Sequence, residues 1–151
     1  MTPPPGYRHD NAVSRLNRLL SEFLLQSKDT GTLYVPRAAI WTSPNTYLEP
    51  DLFYVSAETE SRLEPNRRTT ADLVVEVISP GSAIYDRNTK ADTYAALGVK
   101  ELWLIDESNH TVEVRVLEAD RLMRSELLTN SDQAKSTVLE GFGLTVERLF
   151  D

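Results

Sequence analysis

The stretch from Asp72 to Ile78, Asp-Leu-Val-Val-Glu-Val-Ile, constrains the fold more than any other. Leu73, Val74, Val75, Val77 and Ile78 form an apolar, mostly β-branched run, the composition of a strand covered on both faces. Pro80-Gly81-Ser82 ends it, with Ser82 placed to cap a helix that runs to about Leu97 and stops at Gly98. A second apolar run, Glu101-Leu-Trp-Leu-Ile-Asp106, follows. Strand, helix and strand in that order make a β-α-β unit, so the strands at 72–78 and 101–105 are expected to be parallel. One residue breaks the pattern. Glu76 sits in the middle of the first run, where an unpartnered carboxylate costs about several kcal/mol or takes up a proton.

The rest of the chain supplies elements around that unit. Residues 2–8, with three prolines and a glycine, predict an extended lead-in. A helix is expected from an Asp10 or Asn11 cap, with Val13, Leu16, Leu20, Phe23 and Leu24 on one stripe, ending near Lys28-Asp29-Thr30-Gly31. Residues 32–41 read as a strand with an edge or bulge at Pro36. Residues 50–56 read as a short strand, and 56–70 as an exposed loop or a loop with a helical turn. Residues 111–118 alternate strictly and pair with 121–128 as an antiparallel hairpin, His110 falling in its turn as a structural residue. The tail from Ser136 predicts a last short strand and a helical turn. The class is α/β or α+β with a mixed sheet, and one domain over residues 1–151 accommodates it.

Composition removes several function classes. The chain has 151 residues, enough to bury roughly two-thirds of its unfolded surface. It has no cysteine and two histidines, His9 and His110, which excludes disulfides, thiolate zinc sites and a His-rich metal centre. No apolar run is long enough to span a bilayer. The N-terminus lacks the apolar core of a signal peptide, so the cytoplasm is the expected compartment and no membrane partner is expected. The net charge of −7 lies mostly in residues 101–151, with 11 acids against 5 bases. No basic patch emerges to support a nucleic-acid partner from charge alone.

Glu76 has candidate company. Asp51 opens the short strand after Pro50, and strands joined by one loop are often neighbours. Two ionised carboxylates brought close repel unless a cation lies between them, and a hard divalent ion suits oxygen ligands. Asp86, Lys90 and Tyr94 fall at i, i+4 and i+8 of the following helix and share a face. That helix starts beyond the carboxyl end of the Glu76 strand, where α/β sheets gather their sites. Plainer readings stand beside these. Asp86 and Lys90 also suit a solvated i,i+4 pair, Asp51 a proline turn, and Glu76 a structural salt bridge to Lys90 or an arginine.

Pro50-Asp51, a charged loop, DLVVEVISPGS, Asp86-x-x-x-Lys90, Tyr94 and GVKELWLID, in that order, resemble the Uma-two family of restriction-endonuclease-like proteins in the PD-(D/E)XK nuclease superfamily. The likeness runs from about Pro3 to Phe150. It implies a restriction-endonuclease-like fold, a mixed β-sheet flanked by helices, and metal-dependent hydrolysis of DNA phosphodiester bonds. Asp51 matches the aspartate of the motif and Glu76 its acidic position. The superfamily lysine belongs two residues after Glu76, where this chain has Ile78; in the family it stands in the next helix, here Lys90. Asp86 matches the family's helix aspartate. Many relatives carry a glutamate-bearing hairpin ahead of the Pro-rich stretch, and this chain is read as lacking it.

The resemblance thus implies an endodeoxyribonuclease with Asp51, Glu76 and Lys90 as catalytic residues. Asp51, Glu76 and the Val77 carbonyl would hold Mg²⁺ or Mn²⁺, and Lys90 would act on the attacking water. Tyr94 supports Lys90, binds a phosphate, or simply packs in the core. Arg62, Arg67 and Arg68 either contact phosphate or confer solubility. His9 is a minor candidate. DNA is the implied partner, and cutting both strands implies a homodimer. The alternative is a catalytically inactive nuclease fold serving as a binding or oligomerisation module.

Overall fold

A computed structural model describes residues 6–78 and 84–150, with the side chains of 84–86 left out. Helix α1 spans Tyr7–Ser27. Strands β1 (Thr32–Tyr34), β2 (Ile40–Ser43), β3 (Thr46–Leu48) and β4 (Leu52–Val55) follow, then the short helix α2 (Ala57–Ser61). Strand β5 (Leu73–Ile78), helix α3 (Ile84–Ala96) and strand β6 (Glu101–Asp106) form the central unit. Strands β7 (Thr111–Glu118), β8 (Arg121–Thr129), β9 (Gln133–Lys135) and β10 (Gly143–Thr145) complete the strands, and a 3₁₀ turn at Val146–Leu149 follows.

The main sheet has six strands in the order β1-β4-β5-β6-β7-β8. β5 and β6 are parallel, as the β-α-β order requires, with Val75 opposite Trp103, and the other pairs are antiparallel. Side-chain alternation assigns two cores. Leu73, Val75 and Val77 face α1 through Leu16, Leu20 and Leu24. Val74 and Ile78 face α3 through Ala91, Tyr94 and Ala95. Both faces of β5 are therefore covered, and all its residues are buried. Trp103 and Leu104 fill the core from β6. Glu76 belongs by alternation to the α3 face.

Two expectations are corrected. α1 starts at Tyr7 with Gly6 at its cap and no side-chain cap, so residues 7–8 are helical rather than extended and neither Asp10 nor Asn11 is the cap. Once Gly6 is passed nothing breaks the helix, and Asp10 in the first turn suits the positive end of its dipole. Residues 32–41 are not one strand. Pro36, which has no amide to donate, sits in a turn that separates β1, an edge of the main sheet, from β2. β2 pairs instead with β3 as a separate two-stranded ribbon. The Ser82 cap lies outside the described residues; the far end of α3 does close at Gly98, whose φ of +82° needs glycine.

Buried carboxylates pin the loops at the far end of the sheet. Asp72, 1% exposed, accepts from the Ser56 amide at 2.7 Å and the Thr59 hydroxyl at 3.0 Å, and pairs with Lys100 at 2.9 Å. Glu101 accepts from Ser136 Oγ, Thr137 N and Thr137 Oγ1 at 2.6–2.8 Å, tying the C-terminal segment to β6. Burial pushes the Asp72 carboxyl up, but the Ser56 amide, Lys100 and Thr59 outweigh it and hold it below the usual carboxylate range. Its ionised form thus stabilises the fold at neutral pH, and that contribution is lost as pH falls through the lowered value. Asp72→Asn is expected to cost about 2 kcal/mol in urea melts at pH 7, the gap to the parent narrowing steadily once pH drops below about 4.

Candidate active site

The order of residues along β4 and β5 brings two acids together at one end of the sheet. Leu52 pairs with Val75, so one step further back in the same antiparallel register Asp51 comes level with Glu76. β4 ends there, and the Asp51 side chain takes over its hydrogen bonding: Oδ2 accepts from the Val77 amide at 2.8 Å. Its other oxygen, Oδ1, lies 3.3 Å from His9 Nε2. His9 is buried in the first turn of α1 and reaches Asp51 from that helix's side of the sheet.

Glu76 meets its partners from α3. Tyr94 donates its hydroxyl to Oε1 at 2.5 Å, and Lys90 Nζ stands 3.4 Å from Oε2. Tyr94 is 3% exposed, whereas the Lys90 side chain is about half in solvent. The spacing of 90 and 94 on one helical face produces this fork. Burial raises the Glu76 carboxyl; Lys90 and Tyr94 oppose this, and the nearby Asp51 charge adds to the rise. The net effect is a carboxyl held above its usual range. Tyr94 is pushed up too, by burial first and then by Glu76 and Asp51.

A cleft of about 220 Å³ opens over Glu76, Lys90 and Tyr94, with Thr89, Thr93, Leu48 and Glu49 completing its wall. Glu49 is the residue that sequence reasoning missed. It stands two positions before Asp51 and pairs with Arg37 at 3.5 Å; a second acid beside Pro50-Asp51 was the available signal. The sequence signal for His9 is the α1 stripe of Ala12, Leu16 and Leu20, which lands on it when extended back by one turn.

The other named residues fall as follows. Val77 is buried and offers Asp51 its amide. The side chain of Asp86 lies outside the described residues. Arg62, Arg67 and Arg68 sit in the loop that joins the end of β4 to the start of β5, at the opposite end of those strands from Asp51 and Glu76. Arg62 reaches Thr59 Oγ1 at 3.5 Å. Arg67 lies over the Trp41 ring at 4.7 Å, and Arg68 over Tyr34 at 4.1 Å, beside Glu60. Asp106 ends β6 by capping the next turn, accepting from Ser108 N and Asn109 N at 3.0 Å and pairing with Arg87 at 2.6 Å. His110 stacks on Phe150 in the β6–β7 turn.

The mixed six-stranded sheet with α1 on one face and α3 on the other, and acids at the carboxyl end of β5, define a nuclease fold of the restriction-endonuclease-like class. The structure superposes on that of a "putative nuclease" from Anabaena variabilis with a TM-score of 0.76 and 16% identity, covering 99% of this chain and 84% of that one. It also superposes on the type IIG restriction endonuclease BpuSI with a TM-score of 0.51 and 13% identity, covering 99% of this chain and 17% of that enzyme. No curated protein matches the sequence. The chain belongs to the Uma2 family, described as "Putative restriction endonuclease", which matches residues 1–147.

The raised Glu76 carboxyl has a direct consequence. A group whose value is higher in the folded state binds more protons there, so folding loses stability as pH climbs from the unfolded value through the folded one. Glu76→Gln keeps an acceptor for Tyr94 and removes the buried charge. With chelator present, it is expected to melt a few degrees above the parent at pH 8, by differential scanning calorimetry, and the advantage should shrink toward pH 5.

Proposed function

We propose that this protein is a divalent-metal-dependent DNA endonuclease whose catalytic groups are Asp51, Glu76 and Lys90. One observation carries the reading: a carboxylate inserted in a wholly buried strand, beside a second carboxylate, with an ammonium 3.4 Å away in an open cleft. The donor set suits a hard cation. Burial first, and then the Asp51 charge, keep the Glu76 carboxyl raised although Tyr94 and Lys90 each bond one of its oxygens, and a bound cation would favour its ionised form. Among the described residues no group of three or more acids or histidines converges as a ready-made metal cage. A magnesium site built from two carboxylates with waters and substrate phosphate needs no such cage. Asp51 and Glu76 would hold Mg²⁺, or Mn²⁺ in vitro, which when bound withdraws charge from the phosphate and acidifies a water.

The chain's own residues do the positioning. Tyr94 fixes one oxygen of Glu76, and the Val77 amide fixes one oxygen of Asp51. His9 closes the back of Asp51. Lys90, half in solvent, is free to swing its ammonium from Glu76 to the attacking water or to the charge that develops on the phosphate oxygens. Cleavage of both strands of a duplex calls for two such centres, which a homodimer of this one-domain chain supplies. The second reading, an inactive fold serving as a binding module, takes its support from the same Lys90–Glu76 contact read as a closed structural ion pair.

Plasmid incubated with Mg²⁺ or Mn²⁺ separates the two. Nicking by the parent, reduced at least about a hundredfold in Glu76→Ala and Lys90→Ala, is the expected result. Mn²⁺ is also expected to raise the melting temperature of the parent but not of Asp51→Asn, since the ion binds the native state. Identical traces from parent and variants, with no thermal shift, would leave the inactive module as the reading.

A further inference from the structure

A second cleft, about 310 Å³, opens on the α1 face of the sheet. Tyr7, Arg8 and Arg15 of α1 form one wall, and Glu107, His110 and Phe150 the other. It shares an end of the sheet with the acids: Arg8 precedes His9, which touches Asp51, and Glu107 follows Asp106, the last residue of β6. The nuclease chemistry proposed above makes no use of it.

Three features define what it would take. His110 stacks flat on Phe150, centroids 4.7 Å apart and planes 4° from parallel, and His110 is exposed, so its outer face is open to another flat ring. Glu107 lines the cleft and is half-buried, and its Oε2 has no hydrogen-bond partner among the described residues; that oxygen is shielded as it stands, and a turn of the side chain offers it to a donor on a ligand. Arg15 gives Nη1 to the Leu149 carbonyl at 3.1 Å, and neither it nor exposed Arg8 pairs with a carboxylate among the described residues. A ring to stack, an N–H to donate and an anion between two guanidiniums together describe a nucleotide. A base inside a duplex has both faces stacked and its amino group paired, so the nucleotide must be unpaired.

We propose that this cleft seats one unpaired nucleotide of a DNA strand, its base on His110, an exocyclic amino group on Glu107, and its phosphate between Arg8 and Arg15. The inference rests on the nuclease reading for its role, which is to hold the strand beside the phosphate that Asp51 and Glu76 address. Cytosine, adenine and guanine carry an exocyclic amino group and thymine does not, so the cleft discriminates against thymine.

Fluorescence anisotropy with labelled short oligo-dC and oligo-dT, on the full chain with EDTA present, tests this apart from cleavage. Oligo-dC is expected to bind about tenfold tighter than oligo-dT. Glu107→Gln, whose amide also presents a donor, should erase that preference. His110→Asn should weaken both oligonucleotides about tenfold by removing the stacking surface; asparagine tolerates the left-handed backbone at this position, φ +53°. Arg8→Ala, on the surface, should weaken both and lower the salt slope by about one, and it carries the test should the histidine variant fail to fold. Equal affinity of the parent for both oligonucleotides, or unchanged binding by folded His110→Asn and Arg8→Ala, overturns the proposal. A parent that shows the cytosine preference yet nicks no plasmid refutes the nuclease reading and keeps the cleft, and the converse refutes the cleft alone.

Discussion

The Glu76 carboxylate, placed where an aliphatic side chain would otherwise complete β5, is the constraint around which the surrounding structure is arranged. Its strand lies between α1 and α3 with both faces covered, so the acid has little access to bulk water and must be satisfied from its own side of the sheet. α3 meets that need with two residues one turn apart. The phenol of Tyr94 is committed to the core and cannot leave without exposing a buried acceptor. The ammonium of Lys90 sits on a flexible stem half in water and moves at little cost. The arrangement therefore combines one fixed contact with one mobile contact on the same carboxylate.

Comparison with the other buried acids shows why Glu76 differs in kind. Asp72 is met by an amide, a hydroxyl and Lys100, and is held low despite its burial. Glu101 collects two hydroxyls and an amide. Glu113 is met by Arg115 and Arg124, with Arg87 at 3.9 Å. Asp72 and Glu101 thereby tie loops to the sheet, and Glu113 lies among guanidiniums from α3, its own strand and β8. Glu76 has a second carboxylate nearby and a cleft in front of it, and its carboxyl is held high. That combination of burial, a neighbouring carboxylate and an open cleft is what the proposed function rests on.

What the sequence disclosed follows from how local each signal is. The β-α-β unit was legible because apolar runs, Gly98 and helix length act over adjacent residues, and the strict alternation of 111–118 gave the β7–β8 hairpin in the same way. The split of residues 32–41 was not, because a proline announces an interruption without saying which sheet the chain joins next; β2 leaves the main sheet for a ribbon with β3. The contact of Lys90 with Glu76 was within reach, since one helical face follows directly on the strand. The contact of His9 with Asp51 spans most of α1 and three strands, and rests on tertiary packing that periodicity only hints at. The arginines of the 62–68 loop illustrate the opposite error: they are close in sequence to both acid-bearing strands, yet an antiparallel connection places them at the other end.

The end of the sheet that gathers Asp51 and Glu76 also gathers residues from both helical faces, and this follows from one topological fact. β4 begins a residue short of the position level with Glu76, and Asp51, just ahead of it, bonds through its side chain to the Val77 amide. From there His9 approaches on the α1 side, while Glu76, Lys90 and Tyr94 lie on the α3 side. A polymer crossing that edge would pass from the α3 cleft, over Asp51, to the α1 cleft of Arg8, Arg15 and His110. Negative charge sits at the crossing, with Lys90 beside Glu49 on the α3 flank and Arg8 and Arg15 beside Glu107 on the α1 flank. That pattern suits an extended anionic chain better than a compact anion, which would favour one concentrated patch.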